Sequence, residues 1–541
     1  MDRAGAALNR LPRWLAPSLA ALPAAGLALF YLWPLGTLLA RVVRPGSFTE
    51  ALQAPGLARV LWFTLWQALA STLLTLVVGF APAYVLARYR FPGRRALLAA
   101  VTVPFMLPTV VVGAAFLALL PSTWHGTARA VIVAHVFFNI AVVVRLIGAL
   151  WAVLPTDLTA AARTLGAAPH QVLRHVVLPL LRPGLWAAAS VVFLFTFSSF
   201  GAVRLLGGPA NPTLEVEIAR RATQLGDVDG AAVLSLLQLI VLAGVVWWSA
   251  RWQRRATVPM AGGFGTAGTA RRARSRAQRR LVACVATATA IVVLAPLLVL
   301  ISRSFRLGGR WSLSAWRTLG SAEVRPGVQL GVDPLASLFT SLRFALVAAV
   351  VSVTIGALAA LAITSARRHG RLLDVGVMLP LGTSAVTIGL GMLITFDTAP
   401  FDWRASWWLI PLGHALVATP FVVRAVLPVL RSIPADQRAA AATLGASPLR
   451  AWSAIDVRTI AGPLSAAGGL AAAISLGEFG ATTFLTRAGR ETMPIAIARL
   501  LGRTGEIPRA QGFALATVLL AATAAIIAVA ERKGMFDARG S

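Results

Sequence analysis

Long apolar segments alternate with short polar segments along the whole chain. A helix needs about 20 apolar residues to cross the ~30 Å hydrocarbon layer of a membrane, and twelve of the segments reach that length. They cover approximately residues 17–40, 60–87, 97–120, 130–154, 185–206 and 230–250, then 281–302, 339–365, 372–396, 407–430, 461–486 and 510–530. This pattern predicts an all-α polytopic membrane protein with about twelve transmembrane helices, the first of them uncleaved.

The composition favours the same class. Over 541 residues, 57% are hydrophobic and 13% are charged, which leaves too little polar surface to cover a soluble globule. The net charge of +31 comes from arginines in short segments between apolar runs, so it indicates membrane topology rather than nucleic-acid binding. Segments such as Arg88–Arg95 and Arg251–Arg280 then lie inside, as the positive-inside rule expects. We therefore expect a protein of the bacterial cytoplasmic membrane with both termini in the cytoplasm.

One segment occurs twice. Residues His135–Leu181 match residues His414–Ile460 at a constant offset of 279, so that Gly166 pairs with Gly445. Further matches lie on both sides of this segment: Thr64, Gly79, Pro104, Gly113, Phe200, Gly201 and Thr213 match Ser341, Gly356, Pro380, Gly389, Phe479, Gly480 and Thr492. Such agreement indicates an internal duplication.

The duplication predicts the domain organisation. Residues 1–250 form a first half with six spans, residues 251–280 a flexible cytoplasmic linker rich in Gly, Ala and Arg, and residues 281–541 a second half with six spans. Because six is an even number, the halves have equal orientation, as in a parallel repeat.

Both copies contain a motif that resembles the cytoplasmic coupling motif of permease subunits in binding-protein-dependent ABC importers. The family pattern is Glu-Ala-Ala, three residues, Gly, nine residues and Ile-x-Leu-Pro. The matching residues are Ala160, Ala161, Ala162, Gly166, Val176, Leu178 and Pro179 in the first copy, and Ala439, Ala440, Ala441, Gly445 and Ile455 in the second. This sequence departs from the pattern by having Ala in place of Glu in both copies, and Val457 and Arg458 in place of Leu-Pro in the second.

The resemblance covers nearly the whole chain and implies a fused, two-half permease of the ferric-iron and thiamine importer family, with the type I ABC importer fold. It implies coupling loops at about residues 155–183 and 434–462, two copies of an ATPase docked on them, and an extracytoplasmic solute-binding protein. The segments SLGEFGATTFL and RETMPIAIARLL look most like the ferric-iron branch, so ferric iron is the first expectation for the solute and thiamine or another small solute the alternative.

The sequence predicts a transport subunit without enzymatic activity of its own. A phosphate-binding Walker A loop needs a lysine after glycine, and Lys533, the only lysine, lies after Glu531 and Arg532 near the C-terminus. With the single cysteine Cys284, no cysteine cluster for a metal can form, and we expect neither cofactor nor metal. Membrane lipid is an expected partner and nucleic acid is not.

Glu478 is the acidic residue deepest in an apolar run, and Ser199 is its counterpart in the first half. An intramembrane carboxylate usually faces the bundle interior or a wet cavity. Two interpretations stay open: a cation pathway or gate, and a protonated or hydrogen-bonded structural Glu with Ser199 as its polar partner. The paired His135 and His414 fit hydrogen-bonded packing residues better than ligands.

Two other classes of protein fit less well. A twelve-span secondary transporter driven by an ion gradient would have the same span count, but it does not explain the paired coupling motifs and would need more intramembrane acids for a proton relay. A membrane-embedded enzyme would need clustered catalytic or metal-binding groups, which the sequence does not present.

Overall fold

The apolar runs form long helices in a computed structural model that describes residues 15–255, 270–320, 323–325, 328–329, 331–365, 369–398 and 402–537. Within these residues, ten helical spans are long and apolar enough to cross a membrane. They are Ser18–Val42, Leu57–Arg88, Ala128–Val153, Pro169–Phe197, Val228–Ser249, Arg276–Ser304, Pro334–Ser365, Leu409–Ser432, Leu449–Gly477 and Glu506–Ala530. The predicted all-α polytopic class is confirmed.

The individual elements follow the chain in this order. In the first half, the helices and strands are α1 (Leu15–Leu27), α2 (Trp33–Val42), α3 (Ser47–Gln53), α4 (Leu57–Arg88), β1 (Tyr89–Arg90), α5 (Arg94–Met106), α6 (Thr109–Leu119), α7 (Ala128–Val153), α8 (Thr156–Thr164), α9 (Pro169–Val172), α10 (Leu178–Phe197), α11 (Gly201–Leu206), α12 (Leu214–Arg220) and α13 (Val228–Arg255). From the linker onwards they are β2 (Arg271–Arg272), α14 (Arg276–Ser304), β3 (Arg306–Leu307), β4 (Arg310–Trp311), α15 (Ser314–Arg317), β5 (Glu323–Arg325), β6 (Val328–Gln329), α16 (Pro334–Ser365), α17 (His369–Met378), α18 (Ala385–Thr395), α19 (Leu409–Ser432), α20 (Ala435–Thr443), α21 (Pro448–Trp452), α22 (Arg458–Gly477), α23 (Gly480–Leu485), α24 (Met493–Leu501) and α25 (Glu506–Asp537).

Tighter or wider turns interrupt several of these helices. Segments of π-helix cover Ala28–Leu32, Leu173–Val177, Arg221–Leu225 and Ser453–Val457, and 3₁₀ turns cover Ser122–Trp124 and Leu379–Gly382. The π segments at Leu173–Val177 and Ser453–Val457 lie at matching places in the two halves, so the duplication extends to this local irregularity.

Two of the predicted spans are bent pairs of helices instead of straight helices. The run predicted at 97–120 forms α5 and α6, which meet at 105°, and the run predicted at 372–396 bends by 101° before α18. The first bend lies at Leu107, whose extended backbone (ψ 147°) follows from the proline after it. In the described part of the chain, the candidate spans therefore number ten, or twelve if each bent pair is one span.

The described helices pack into two compact units. The first-half unit consists of residues 53–217 and 237–306, and α4, α7 and α10 form its core. Helix α14 packs on α5 and α6 of this unit, where Val293 is fully buried. Gly79 lets α4 and α7 approach closely, because a Cβ at that position would lie 2.6 Å from Val143 Cγ1.

The second-half unit consists of residues up to 52, residues 218–236 and residues 307–541. Its core repeats the arrangement of the first-half unit, with α16, α19 and α22 in mutual contact. Gly356 repeats the role of Gly79, since a Cβ there would lie 2.7 Å from Val422 Cγ1. Helices α1 and α2 pack on α16 to α18 of this unit, where Tyr31 and Leu38 are buried.

The packing units thus exchange the first span of each half. The apolar faces of α1 and α2 are buried by helices of the second half, and α14, the first span of the second half, is buried by helices of the first. The boundaries 1–250 and 281–541 refer to the two copies of the duplicated sequence, and this division into two halves stays a prediction. Of the predicted linker, residues 256–269 lie outside the described residues, while β2 pairs in parallel with β1.

Candidate functional site

The two predicted coupling loops have the same backbone form. In the first, α8 ends at Thr164, and Gly166 turns the chain with φ of +83° before α9 begins at Pro169. In the second, α20 is followed by Gly445 with φ of +80° and by α21. A positive φ is readily adopted only by glycine, so both glycines are required by the turn.

Alanines are exposed in both loops. In the first loop Ala160 and Ala161 are exposed, and in the second Ala439 and Ala440 are exposed. Their neighbours Ala162 and Ala441 are half-buried, and Ala162 packs on the core of the first-half unit. In each loop, two of the three predicted alanines are therefore exposed and the third is half-buried.

A leucine precedes the glycine at the tip of each loop. Leu165 is 88% exposed and Leu444 is 87% exposed, the two largest values among the large exposed hydrophobic side chains of the described residues. The sequence prediction did not include these two residues, although both copies read Thr-Leu-Gly-Ala at the offset of 279. Both copies therefore present one exposed leucine at the tip of the loop.

The loops differ in how they are joined to the following span. In the first, Val177 is buried and Pro179 follows the π segment within the helical span Pro169–Phe197. In the second, Asp456 is buried at 3% exposure, and Arg438 of α20 donates to both of its carboxylate oxygens. This ion pair ties α20 to the π segment that contains Asp456.

A buried histidine lies beside the break after α10 in the first-half unit. His135 Nε2 is 2.9 Å from Ser199 Oγ, and its Nδ1 is 3.3 Å from Ser71 Oγ. The backbone carbonyl of Ser199 accepts a hydrogen bond of 3.3 Å from Thr213. Ser199 therefore joins the end of α10 to α4 and α7 through one imidazole.

The second-half unit has the corresponding histidine and a denser set of partners. His414 Nδ1 is 2.8 Å from Ser475 Oγ, and its Nε2 is 2.8 Å from Thr482 Oγ1 and 3.4 Å from Glu478 Oε2. The backbone N–H groups of Ala481 and Thr482 each donate to Glu478 at 3.0 Å, and Thr482 Oγ1 donates to it at 2.8 Å.

Glu478 thus caps the first turn of α23 at the point where α22 ends. Its side chain is 4% exposed, and both carboxylate oxygens accept hydrogen bonds. This environment resembles a helix N-cap and supports the structural interpretation of Glu478. The polar side-chain partners of Glu478 are His414 and Thr482. Ser199 contacts His135 instead, so it is not the polar partner of Glu478 that the sequence suggested.

The short helices α12 and α24 are attached in the same way in the two halves. The backbone N–H of Leu214, the first residue of α12, donates to Thr64 Oγ1 at 2.9 Å. The N–H of Met493, the first residue of α24, donates to Ser341 Oγ at 2.7 Å. These bonds explain why Thr64 and Ser341 match in the duplication, since each supplies the acceptor that a helix N-terminus lacks.

The paired arginines Arg145 and Arg424 bind polar groups on neighbouring helices. Arg145 donates to Thr102 Oγ1 of α5 at 3.1 and 3.2 Å. Arg424 lies 3.8 Å from Asp374 of α17, which is equally far from Arg431. No group of three or more His, Cys, Asp and Glu side chains gathers closely enough for a metal in the part of the chain that the structure describes.

Comparison with known proteins identifies the class to which this arrangement is similar. A family model described as binding-protein-dependent transport system inner membrane component matches residues 75–258. The probable ABC transporter permease protein y4fN of Sinorhizobium fredii is 26% identical, over 96% of this chain and 93% of that protein. The thiamine transport system permease protein ThiP of Salmonella typhimurium is 25% identical, over 91% and 92%. The sulfate transport system permease protein CysT of the same organism is 30% identical, over 37% of this chain and 77% of that protein.

Proposed function

Since this chain belongs to the family of inner-membrane components of binding-protein-dependent transport systems, we propose that it moves a solute through the cytoplasmic membrane after delivery by an external binding protein. It is a multi-pass membrane protein and the permease subunit of an ABC importer. The main structural support for the proposal is the pair of duplicated loops with an exposed leucine at each tip.

Each coupling loop docks in a cleft of one ATPase subunit. The exposed alanines let the loop helix approach a partner closely, and Leu165 or Leu444 fills an apolar pocket beside it. Burying a leucine side chain stabilises a complex by about 1.5–3 kcal/mol, so each tip contributes one to two orders of magnitude in affinity. Closure of the ATPase pair then moves the two loops and rocks the permease between inward-open and outward-open states.

Docking through both loops requires that they lie on the same side of the membrane. Between them the chain crosses through α10, α13, α14, α16, the bent pair that ends in α18, and α19. The number of crossings is even only if the bent pair crosses once. We therefore take this bent pair as one span, and we take the first bent pair in the same way because the halves are duplicated. The result is twelve spans, with both termini in the cytoplasm as the positive-inside rule favours.

Co-purification with the ATPase tests this coupling surface. We expect Leu165→Asn with Leu444→Asn to abolish recovery of the ATPase while insertion and folding persist, because both side chains are exposed. Leu225→Asn is the matched control, since Leu225 is 58% exposed and lies in an outer segment. Gly166→Trp and Gly445→Trp should also block docking, the first more strongly because its loop keeps Leu-Pro. Undiminished recovery with both loops altered contradicts the proposal.

The permease itself does not hydrolyse nucleotide. The sequence offers no glycine loop followed by lysine that could hold the phosphates of ATP. Hydrolysis should be absent from the purified chain and should appear when the ATPase subunits are added. Robust turnover by the chain alone, in a preparation from which ATPases have been excluded, contradicts this assignment.

We propose thiamine as the solute. The proposal is supported by relatives named as thiamine transport system permeases, which align with 91% or more of this chain in Salmonella typhimurium and in Brucella abortus. Ferric iron stays an alternative that rests only on the likeness of two sequence segments. Proteoliposomes that contain the permease, its ATPase and its binding protein should accumulate radiolabelled thiamine upon addition of ATP. Accumulation of ferric iron without thiamine uptake contradicts the choice of solute but leaves the importer class intact.

A further inference from the structure

Four tryptophans gather where α10 begins and α13 ends in the first-half unit. The Trp186 ring stacks on Trp252 at a centroid distance of 5.9 Å and meets Trp248 edge-on at 5.7 Å. Trp247 is the most exposed of the four at 65%, and the others are between 42% and 48% exposed. These large exposed side chains have an apolar ring and an N–H donor, a combination typical of the interface between hydrocarbon and headgroups.

Two arginines accompany the tryptophans. The Arg251 guanidinium lies over the ring of Trp247, 5.8 Å from its centroid, and Arg182 lies one helical turn before Trp186 on the same face of α10. Both arginines are exposed, and neither forms an ion pair with a carboxylate of the described residues. Helix α10 contains no Asp or Glu, and the only acidic residue of α13 is Asp229 at its opposite end.

The second half lacks this combination. At the offset of 279, the positions of Trp247, Trp248 and Arg251 carry Ile526, Ile527 and Ala530. The sites of Arg182 and Trp186 correspond to Ala461 and Ser465, two small side chains without charge. The combination of clustered tryptophans and arginines is therefore a feature of the first half alone.

We infer that these residues form a site for one anionic phospholipid of the cytoplasmic leaflet. The name tryptophan–arginine patch is used below for Trp186, Trp247, Trp248 and Trp252 with Arg182 and Arg251. The arginines pair with the headgroup phosphate, the indole N–H groups donate to phosphate or ester oxygens, and the rings pack on the first methylenes of the acyl chains. The inference rests on the proposed topology, which places this end of α10 and α13 on the cytoplasmic side.

Native mass spectrometry of the purified full chain in detergent tests the site, with dioleoyl phosphatidylglycerol and dioleoyl phosphatidylcholine as the two probes. Each arginine near an anionic headgroup contributes about fivefold in affinity, so we expect about 25-fold tighter binding of phosphatidylglycerol by the unmodified chain. Arg182→Gln with Arg251→Gln should reduce that preference to less than about threefold. Lysine at both positions should keep most of it, because the charge is retained.

Two controls separate this site from general effects of charge. Arg303→Gln with Arg310→Gln removes the same charge at the opposite end of the spans and should leave the preference unchanged. Millimolar glycerol 3-phosphate should not displace the lipid, because the rings of the patch bind the acyl chains. Equal binding of the two lipids, an unchanged preference in the glutamine variant, or displacement by glycerol 3-phosphate overturns the inference. Since the chain is measured without its ATPase, these outcomes are independent of the co-purification that tests the importer function.

Discussion

Replacing Glu478 by alanine should lower the stability of the second-half unit, because this side chain has a structural role and not a role in the transport pathway. In the native chain the carboxylate accepts from the backbone N–H groups of Ala481 and Thr482 and lies 3.4 Å from His414 Nε2. Alanine leaves two buried N–H donors at the start of α23 without an acceptor. The break between α22 and α23 then loses the group that fixes its geometry.

The size of the effect follows from these contacts. A buried donor left without an acceptor costs about 1–3 kcal/mol, and the loss of an N-cap side chain costs about 0.5–2 kcal/mol. These effects overlap, and hydrogen bonds within membranes lie at the low end of such ranges. We therefore expect Glu478→Ala to lower the free energy of unfolding by about 2–4 kcal/mol. Glu478→Gln keeps one accepting oxygen and should cost about 1 kcal/mol.

The assay is thermal unfolding of the detergent-solubilised chain, followed by the monomer peak in size-exclusion chromatography. Uptake and ATP hydrolysis by the reconstituted importer are measured on the same variants. Ser199→Ala is the matched variant in the first half, and it should cost about 1 kcal/mol because one hydrogen bond to His135 is lost. The expected order of stability is unmodified chain, then the Gln and Ser199 variants, then Glu478→Ala.

Two results would refute this reasoning. If Glu478→Ala unfolds at the temperature of the unmodified chain, the carboxylate does not stabilise the helix break. If Glu478→Gln folds normally but abolishes uptake while ATP hydrolysis stimulated by the binding protein persists, the charge acts in the pathway and not in the cap.

Three further predictions concern topology, coupling and packing. In a Cys284→Ser background, single cysteines at Leu165 and Leu444 should react with a membrane-impermeant maleimide from the cytoplasmic side only. Asp456→Asn breaks the ion pair of the second coupling loop and should reduce ATPase recovery at least severalfold, measured by co-purification. Gly389→Ala should prevent stable folding, measured by the monomer yield, because its Cβ would lie 2.6 Å from a backbone atom of α23.

Each of these predictions has a control. Ser122→Cys lies in a segment that the proposed topology places outside, so it should react from the outside. Labelling of the two loop cysteines from opposite sides would contradict the twelve-span topology. Asp436→Asn is an exposed change in the same loop and should leave ATPase recovery intact. Gly26→Ala meets nothing within 4 Å and should fold normally. Equal yields from the two glycine variants would show that the close approach at Gly389 is not required.

The helical class and the number of apolar runs could be predicted from sequence, because hydropathy reports which segments leave water. The bends after α5 and before α18 could not, since hydropathy does not report direction, although Pro108 marks the first of them. The packing of α1 and α2 with the second half, and of α14 with the first half, could not be predicted from the sequence either. Lipid and protein are both apolar, so a hydrophobic helix face does not specify the helix against which it packs.

The residues around the site show the same limit. Leu165 and Leu444 could have been found, because the duplication repeats an apolar residue inside a polar, alanine-rich loop. The partners of Glu478 could not, because His414 lies more than 60 residues away in the chain and reaches it only through the packing of α19 on α22. For the ion pair between Arg438 and Asp456, the only signal in the sequence is that the second copy departs from the Leu-Pro pattern nearby.

The exchange of the first spans between the two packing units constrains the order in which the helices can pack during synthesis. During synthesis α1 and α2 enter the membrane long before α16 to α18 exist, so they wait in lipid without their packing partners. The first-half unit is complete only after α14 has followed the linker. Either half expressed alone would therefore display an uncovered helix face and lack a helix that belongs to its own core. Because both halves belong to one chain, the exchange is an intramolecular event at high effective concentration, which favours it over pairing with the halves of another molecule.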